Sequence, residues 1–315
     1  MSVLRLILNL LAVGLLGAPL AVAVAALTGI GHRWLDILTQ FTAPALFATG
    51  GVVVVLLLLR LWPAVVLGIV TLGLLALAIW PQWMPDRGTA VAGGPTLSLY
   101  SANVLWENND VPAIAASVRA ANADVVILIE LGNGPAERIE QILAAYPHRV
   151  GSPAIGRGGK PARSVIASRY PLTEIPDRPD GLHAVGAVVQ TPLGPVNIVG
   201  VHLTRPWPFR YQWGQISQTM ALAEVRRDLT GPVIVAGDFN AVSGARIGRQ
   251  VQAQVGVIPA PGFPGTWPTS IPSFAGITID QVYRSPDLAL LERRLGLANG
   301  SDHRPVVTRF GLAQP

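Results

Sequence analysis

The hydrophobic positions divide the chain into an almost uncharged first part and a mixed remainder. Three stretches, residues 6–31, 37–59 and 61–85, contain no charged residue at all. A membrane-spanning helix needs about 20 apolar residues, so each stretch is long enough to cross a bilayer. Arg60 separates the second stretch from the third, and Pro63 disfavours one continuous helix there. We therefore predict three transmembrane helices, with the last two joined in a tight hairpin.

The charges that flank these stretches leave the orientation undecided by counting, because each side of the membrane would receive two arginines. The short basic segment 1–5 favours a cytoplasmic N-terminus. The C-terminal part would then lie on the outer side of a bacterial plasma membrane. The first apolar run is longer than the roughly 7–15 residues of a signal-peptide core, so we expect it to be retained. The predicted organisation is an anchor over residues 1–85, a Gly/Ala/Pro-rich linker over 86–95 and a domain over 96–315.

Beyond the linker, apolar positions switch between the period of strands and the period of helices. The predicted strands cover residues 96–103, 124–130, 163–168, 184–190, 196–202, 232–236, 278–283 and 305–310. The predicted helices cover residues 111–121, 135–146 and 212–229. The alternation indicates a domain that mixes α and β elements.

Polar side chains recur where the predicted strands end. They are Asn103, Glu130, His202, Asp238, Asn240, Asp280, Asp302 and His303. Strand ends lie at an edge of a sheet, so we expect these side chains to converge on one pocket. The segments Gly237-Asp238-Phe239-Asn240 and Ser301-Asp302-His303 are the most specific of them.

This set of carboxylates, amides and imidazoles suits a hard divalent cation such as Mg²⁺ or Mn²⁺. Zinc sites more typically contain closely spaced histidines, and the sequence has none. It also has no cysteine, which excludes disulfides and thiolate ligands. A metal ion, amide donors and a His–Asp pair together suit the attack of water on phosphorus.

Composition changes this picture little. Only 13% of the residues are charged, as expected for a chain with a membrane anchor, and the net charge of +5 is too small to argue for nucleic acid. Nearly all cations are arginine, and Lys160 is the only lysine in the domain. Arginine suits phosphate recognition, but a GC-rich coding sequence explains the same bias.

The order of the motifs is more informative than any one of them. The domain resembles the endonuclease/exonuclease/phosphatase superfamily, with matches at Ser101-Ala102-Asn103-Val104, Leu128-Ile129-Glu130, Ser168-Arg169-Tyr170-Pro171, Gly200-Val201-His202, residues 237–240, Ile279-Asp280-Gln281-Val282 and Ser301-Asp302-His303-Arg304-Pro305. This resemblance implies a four-layer α/β (α+β) sandwich with two packed mixed sheets, here preceded by the three helices. The anchor resembles that of a bacterial membrane subgroup that includes a vancomycin/teicoplanin resistance protein.

The resemblance also implies roles for the residues at matching positions. Glu130 would ligate a Mg²⁺-type metal, with Asp302 and Asn103 beside it. Asp238 and Asn240 would orient the attacking water and the phosphate, and the implied catalytic set also contains His303, Asp280 and His202. His303 would pair with Asp280 and act as a base or a phosphate contact, whereas His202 would contact the phosphate or assist the leaving group.

Two departures from the family pattern stand out. Many members have histidine where this chain has Gln281, which would change a contact around the site rather than its chemistry. Some nucleases pair the residue matching His202 with an upstream carboxylate, but no acidic residue lies between Glu140 and Glu174. The second departure weakens a nuclease-type acid pair.

The substrate is open, because this fold serves many phosphoesters. A cationic stretch (Arg149, Arg157, Lys160, Arg163 and Arg169) would bind a second phosphate or lipid headgroups, or it is only a solvated loop. An aromatic segment, residues 206–213, follows His202 and would face a membrane interface, or it packs beneath a loop. We expect Arg205 and Arg169 to bind substrate.

An anchored site meets lipid substrates at high effective concentration. The favoured partners are therefore the bilayer and a phosphorylated substrate, either a lipid-linked phosphate or diphosphate or a phospholipid headgroup. A surface nuclease acting on DNA or RNA and a non-catalytic membrane scaffold are the alternatives. No protein partner is predicted.

Overall fold

The structure, a computed structural model, describes residues 3–154, 162–176, 179, 181–206 and 208–314. The N-terminal part contains four helices: α1 (Val3–Thr28), α2 (Arg33–Thr39), α3 (Thr42–Leu58) and α4 (Trp62–Trp83). Helices α1 and α4 are long and apolar enough to cross a membrane. Between α3 and α4 the chain reverses at Arg60, whose φ is +56°, as the predicted hairpin requires.

The middle predicted span is not one straight helix. Helices α2 and α3 are bent by 65° relative to each other, and only together do they satisfy the length and apolarity expected of a span. The break follows from the polar residues in this segment. Asp36 and Gln40 are buried against the C-terminal domain rather than exposed to lipid, so the chain turns at residues 40–41.

The C-terminal domain contains two six-stranded sheets. The strands are β1 (Thr96–Asn103), β2 (Val125–Leu131), β3 (His148–Gly151), β4 (Arg163–Ser168), β5 (Leu172–Glu174), β6 (Ala184–Thr191), β7 (Gly194–His202), β8 (Val233–Asp238), β9 (Ile258–Pro259), β10 (Asp280–Arg284), β11 (Leu288–Leu295) and β12 (Val306–Leu312). The first sheet has the order β11-β12-β1-β2-β4-β3 and the second β5-β6-β7-β8-β10-β9. The pairs β1–β2 and β7–β8 are parallel, and the other paired strands are antiparallel, so both sheets are mixed.

Helices cover the outer faces of the two sheets. They are α5 (Val111–Ala121), α6 (Asn133–Glu137), α7 (Ile139–Ile142), α8 (Gln212–Asp228) and α9 (Arg246–Val251). Alternate residues of each strand supply two different cores. Leu99 and Ile127 pack between the sheets, whereas Tyr100 and Leu128 pack beneath α5 and α7. The predicted four-layer sandwich with two packed mixed sheets is confirmed.

The element boundaries agree closely with the sequence pattern for β1, β4 and α5. The predicted helix over residues 135–146 is wrong, because the chain forms the two short helices α6 and α7 there. Edge strands β3 and β11 were not predicted. The division into anchor, linker and domain stays a prediction, although the N-terminal helices contact the domain directly.

Candidate functional site

Strand register brings the polar strand ends to one edge of the two sheets. His202, the last residue of β7, lies opposite Asp238, the last residue of β8, and Asp238 also lies opposite Asp280 at the start of β10. In the other sheet, Asn103 of β1 lies opposite Ile129, one residue before Glu130. The predicted convergence of strand-end side chains is therefore present for these residues.

Asp238 occupies the centre of this cluster. Its Oδ2 accepts a hydrogen bond from Asn103 Nδ2 at 3.0 Å, which joins the two sheets, and its Oδ1 accepts one from the backbone N–H of Asn240 at 2.8 Å. Burial and the nearby Asp280 carboxylate raise the pKa of Asp238, while His303 and His202 oppose the shift. Gly237 permits this arrangement: its φ is +138°, and a Cβ there would lie 2.1 Å from the Val201 carbonyl oxygen.

Glu130 is held in an unusual backbone conformation. Its φ is +58°, and the pairing of β2 with β4 shifts register between Leu128 and Leu131. A non-glycine residue in this region costs about 1–3 kcal/mol and is commonest at functional sites. The bulge directs the carboxylate towards His202, with Oε1 at 3.2 Å from Nε2. His202 thus has an acidic partner, Glu130, which precedes the acid-free segment between Glu140 and Glu174.

His303 and Asp280 form the shortest ion pair of the site. His303 Nδ1 lies 2.9 Å and 3.1 Å from the two carboxylate oxygens, and both side chains are buried. Burial alone lowers the pKa of His303, but the carboxylates of Asp280, Asp238 and Asp302 outweigh it and raise the pKa to about 10. Because Asp280 engages Nδ1, the remaining nitrogen, Nε2, is available to a substrate.

Asp302 has a partner that the sequence pattern did not indicate. The indole N–H of Trp267 donates to Asp302 Oδ2 at 3.1 Å, and the Trp267 ring lies 6.5 Å from that of His303. Asp302 Oδ1 is 3.9 Å from His303 Nε2 and has no hydrogen-bond partner among the described residues. Trp267 belongs to a loop without periodicity, so only the spatial arrangement reveals this contact.

The donor atoms fit a divalent cation. One ligand atom from each of Glu130, His202 and Asp238 lies within 4.8 Å of the others, and the same holds for Asp238, Asp280 and His303. The carboxylate-rich donor set and the unpartnered Asp302 oxygen suit a hard ion. Asn103, predicted as a ligand, uses its amide oxygen to accept from the Leu105 N–H at 2.9 Å. The predicted set of Glu130, Asp302 and Asn103 stays a prediction.

Two residues expected to bind substrate have different surroundings. Arg169 follows β4 at the end where Ser168 pairs with Val125, opposite to the end that carries Glu130, and its guanidinium bonds to Asn122. Arg169 therefore does not line this site, and that assignment is wrong. Arg205 is exposed on the loop that follows His202, as expected for a residue at the rim of the site.

The cationic stretch is largely engaged by the protein itself. Arg149 pairs with Glu140 at 2.5 Å, and Arg163 bonds to the Asn133 side chain. Arg157 and Lys160 lie outside the described residues. Because Arg149 and Arg163 already bond to side chains of the protein, the contacts argue against a headgroup-binding site in this stretch.

The aromatic segment is exposed, which contradicts packing beneath a loop. Phe209, Tyr211 and Trp213 are 68%, 81% and 68% exposed, while Trp207 lies outside the described residues. Between them, the Gln212 side chain bonds to the Asp36 carboxylate of α2. The exposed aromatics therefore lie beside the N-terminal helices.

Sequence comparison identifies one family model, described as the Endonuclease/Exonuclease/phosphatase family, which matches residues 100–303. A UPF0294 protein of Vibrio cholerae is 40% identical over 98 residues. That alignment covers 30% of this chain and only 33% of the relative.

Structure comparison finds the same fold in several proteins. An endonuclease/exonuclease/phosphatase from Beutenbergia cavernae has a TM-score of 0.57 at 21% identity, over 69% of this chain and 72% of that one. A Staphylococcus aureus beta toxin mutant with bound magnesium ions has a TM-score of 0.52 at 17% identity, over 70% and 100%. The human Nocturnin catalytic domain with bound sulfate has a TM-score of 0.54 at 14% identity, over 72% and 98%.

Proposed function

Because the chain belongs to the Endonuclease/Exonuclease/phosphatase family, whose members are hydrolases of phosphoesters, we propose that it is a membrane-anchored, divalent-metal-dependent phosphoesterase. We further propose that its substrate is a lipid-linked phosphate or diphosphate or a phospholipid headgroup. The observation that carries this proposal is the position of the exposed aromatic residues 209–213. The three aromatics, Phe209, Tyr211 and Trp213, lie in the segment that follows His202. Gln212 of the same segment bonds to the Asp36 carboxylate of α2.

The residues of the site suit hydrolysis by water. Asp238, fixed by Asn103 and the Asn240 N–H, is placed to orient a water molecule. His303, held by Asp280 through Nδ1, has a pKa raised to about 10, so it carries a proton on Nε2 and presents it to a phosphate oxygen as a hydrogen-bond donor. His202, beside Glu130, is the candidate to assist the leaving group.

Glu130 and Asp302, with Asn103 beside them, would hold a divalent ion, for which we favour Mg²⁺ or Mn²⁺. When bound, such an ion polarises the phosphoryl oxygen and lowers the pKa of coordinated water. Family membership supports a divalent ion, and Glu130 belongs to one of the two clusters of donor atoms close enough to hold one, whereas Asp302 and Asn103 belong to neither cluster. The protein groups then supply the orientation and the proton transfers.

The membrane assignment rests on the apolar helices. Helices α1 and α4 each suffice to cross a bilayer, and the bent pair α2–α3 would provide a third crossing. Three crossings would place the N-terminus and the catalytic domain on opposite sides. With the basic N-terminus in the cytoplasm, the domain would act on the outer face of a bacterial plasma membrane. A C-terminal reporter that is active only in the cytoplasm should stay silent.

A substrate panel tests the function. The full chain in lipid nanodiscs with Mg²⁺ or Mn²⁺ is offered a polyprenyl diphosphate, sphingomyelin and plasmid DNA in parallel. We expect turnover of a lipid substrate that falls by about 10²-fold or more in Asp238→Ala and His303→Ala. Asp228→Ala, an exposed change at the end of α8, is the matched control.

Efficient nicking of DNA without lipid turnover would favour the nuclease alternative. Full activity in both site variants would refute the site assignment. Absence of any metal-dependent turnover would favour the scaffold.

A further inference from the structure

The bend between α2 and α3 contacts the loop that follows Asp238 and contains Asn240. We define the elbow as residues 29–41 and the active-site loop as residues 239–246. Gln40 Oε1 accepts a hydrogen bond from the backbone N–H of Val242 at 2.8 Å, and Asp36 Oδ1 accepts one from the backbone N–H of Arg246 at 3.0 Å. Both elbow side chains are buried, with exposures of 5% and 4%.

The contact with Arg246 completes a helix terminus. Arg246 is the first residue of α9, and the residue before it, Ala245, has no side chain that can cap the helix. The carboxylate of Asp36 supplies the missing acceptor from a different part of the chain. A carboxylate is favourable at this end of a helix, where backbone N–H groups are unpaired. The end of the active-site loop is therefore fixed by the elbow.

A second connection runs through the first turn of α8. Gln212 donates to the Asp36 carboxylate, and Gln215, one turn later, donates to the carbonyl oxygens of Phe239 and Asn240 at 3.2 and 3.3 Å. These carbonyls belong to the residues that directly follow Asp238. The elbow thus holds the active-site loop at its start, through α8, and at its middle and end, through Gln40 and Asp36.

From these contacts we propose that Asp36 and Gln40 are positioning residues of the active site. The membrane anchor then contributes to catalysis by holding the active-site loop in place. Asn240 has a φ of +48° and donates its side-chain amide to the Leu203 carbonyl at 2.9 Å. An L-residue keeps this conformation only where its surroundings enforce it. Asn240 itself is held by Leu203, Asp238 and Gln215. The elbow supports these contacts by fixing Val242 and Arg246 further along the same loop, and without it the loop samples conformations in which Asn240 is displaced.

Backbone exchange tests the proposal independently of turnover. The full chain in nanodiscs is compared with Asp36→Ala and Gln40→Ala by hydrogen–deuterium exchange. Loss of one buried hydrogen bond predicts about tenfold faster exchange in residues 239–249, with β8 protection unchanged. Asp36→Asn, which keeps an acceptor for the Arg246 N–H, should restore most of the protection.

The matched control is Asp86→Ala. Asp86 joins the end of the anchor to Arg284, with Oδ2 at 3.9 Å from the guanidinium. Arg284 lies four residues along β10 from Asp280, roughly 13 Å away at about 3.3 Å per residue. This variant also removes a contact between anchor and domain, but away from the site, and should leave exchange of the active-site loop unchanged.

The kinetic arm rests on the proposed function and uses a small, water-soluble phosphodiester. We expect kcat to fall about tenfold in Asp36→Ala and Gln40→Ala, with KM within about twofold of wild type, because the loop positions reacting groups rather than binding the soluble ester. Asp36→Asn and Asp86→Ala should retain wild-type kcat. If Asp36→Ala fails to fold, judged by lost β8 protection, Gln40→Ala decides alone.

Unchanged exchange in both alanine variants would overturn the proposal. Faster exchange with unchanged kcat would also overturn it, because the contact would then be merely structural. Faster exchange in a protein whose wild type hydrolyses no phosphoester would support the positioning contact while refuting the proposed function.

Discussion

The buried pair of His303 and Asp280 makes the stability of the domain depend on pH in a direction that the structure fixes. The pKa of His303 is raised to about 10 from the 6.5 of an unperturbed histidine, so the folded protein binds this proton more tightly than the unfolded chain. The resulting stabilisation is fully present below about pH 6.5 and is lost as the pH rises towards 10. Between pH 7 and pH 9 the loss is on the order of 2–3 kcal/mol.

The perturbation that isolates this effect is His303→Gln, which keeps a hydrogen-bond donor for Asp280 but does not titrate. Unfolding of the metal-free full chain by urea, followed by near-UV circular dichroism, gives the free energy of unfolding at pH 7, 8 and 9. The free energy of unfolding of the wild type should exceed that of the variant most at pH 7, and this difference should shrink by on the order of 2–3 kcal/mol by pH 9. Substituting His148→Gln, in β3 at the opposite end of the sheet, is the control. A difference that stays constant from pH 7 to pH 9 would refute a protonated His303 paired with Asp280.

Three further predictions follow from other contacts of the site. Gly237→Ala should cost at least about 3 kcal/mol of unfolding free energy, because its Cβ would meet the neighbouring strand's backbone. The control Gly231→Ala, with a φ of +79° and open space around it, should cost only about 1 kcal/mol of unfolding free energy. Equal losses of unfolding free energy in the two variants would contradict a clash at Gly237. Glu130→Gln should weaken Mn²⁺ binding by about tenfold or more in a calorimetric titration, and unchanged affinity would remove Glu130 from the metal site. Trp267→Phe removes the N–H that orients Asp302, a bond worth on the order of 1 kcal/mol, so kcat should fall about fivefold; an unchanged kcat would make this contact incidental.

The parts of the fold that the sequence predicted are those in which local pattern and tertiary packing agree. In β1, Leu99 and Tyr100 point into different cores, and the two-residue alternation of apolar residues reports this directly. The helix expected over 135–146 failed because of contacts between distant residues. The Leu143 carbonyl accepts from the Arg149 guanidinium at 2.6 Å, and the Tyr146 hydroxyl donates to the Ala123 carbonyl, which end the helical segment early.

Strand β11 was missed for a different reason. It contains Glu292, Arg293 and Arg294, a charged run that resembles a solvated helix more than a strand. In the structure it is an edge strand with a register shift before Glu292, whose carboxylate pairs with Arg309 of β12 at 3.4 Å. Charged residues and irregular register are common on exposed edges. The charged run therefore indicated correctly that the segment is exposed, but it did not indicate that the segment is a strand.

The candidate site was predictable as a set of residues because each lies at a strand end, but its supports were not. Asn103 and Glu130 interrupt apolar runs, and His303 belongs to the Ser301-Asp302-His303 motif, so these residues can be recognised without a structure. Trp267, which donates to Asp302, and Gln215, which donates to the Phe239 and Asn240 carbonyls, lie in irregular or amphipathic segments where nothing in the spacing marks a partner. Identifying the reacting groups was thus easier than identifying the groups that hold them.

The elbow shows most clearly why hydropathy alone does not reveal the bend in the predicted middle span. An apolar run indicates that a segment avoids water, but it does not distinguish lipid from protein as the alternative environment. Asp36 and Gln40 flank or interrupt such a run, and a bilayer could not satisfy their polar atoms. The active-site loop does satisfy them, because the backbone N–H groups of Val242 and Arg246 donate hydrogen bonds to Gln40 and Asp36. The same complementarity bends the predicted span and brings the N-terminal helices into direct contact with the C-terminal domain, since the elbow and the active-site loop complete each other's hydrogen bonds.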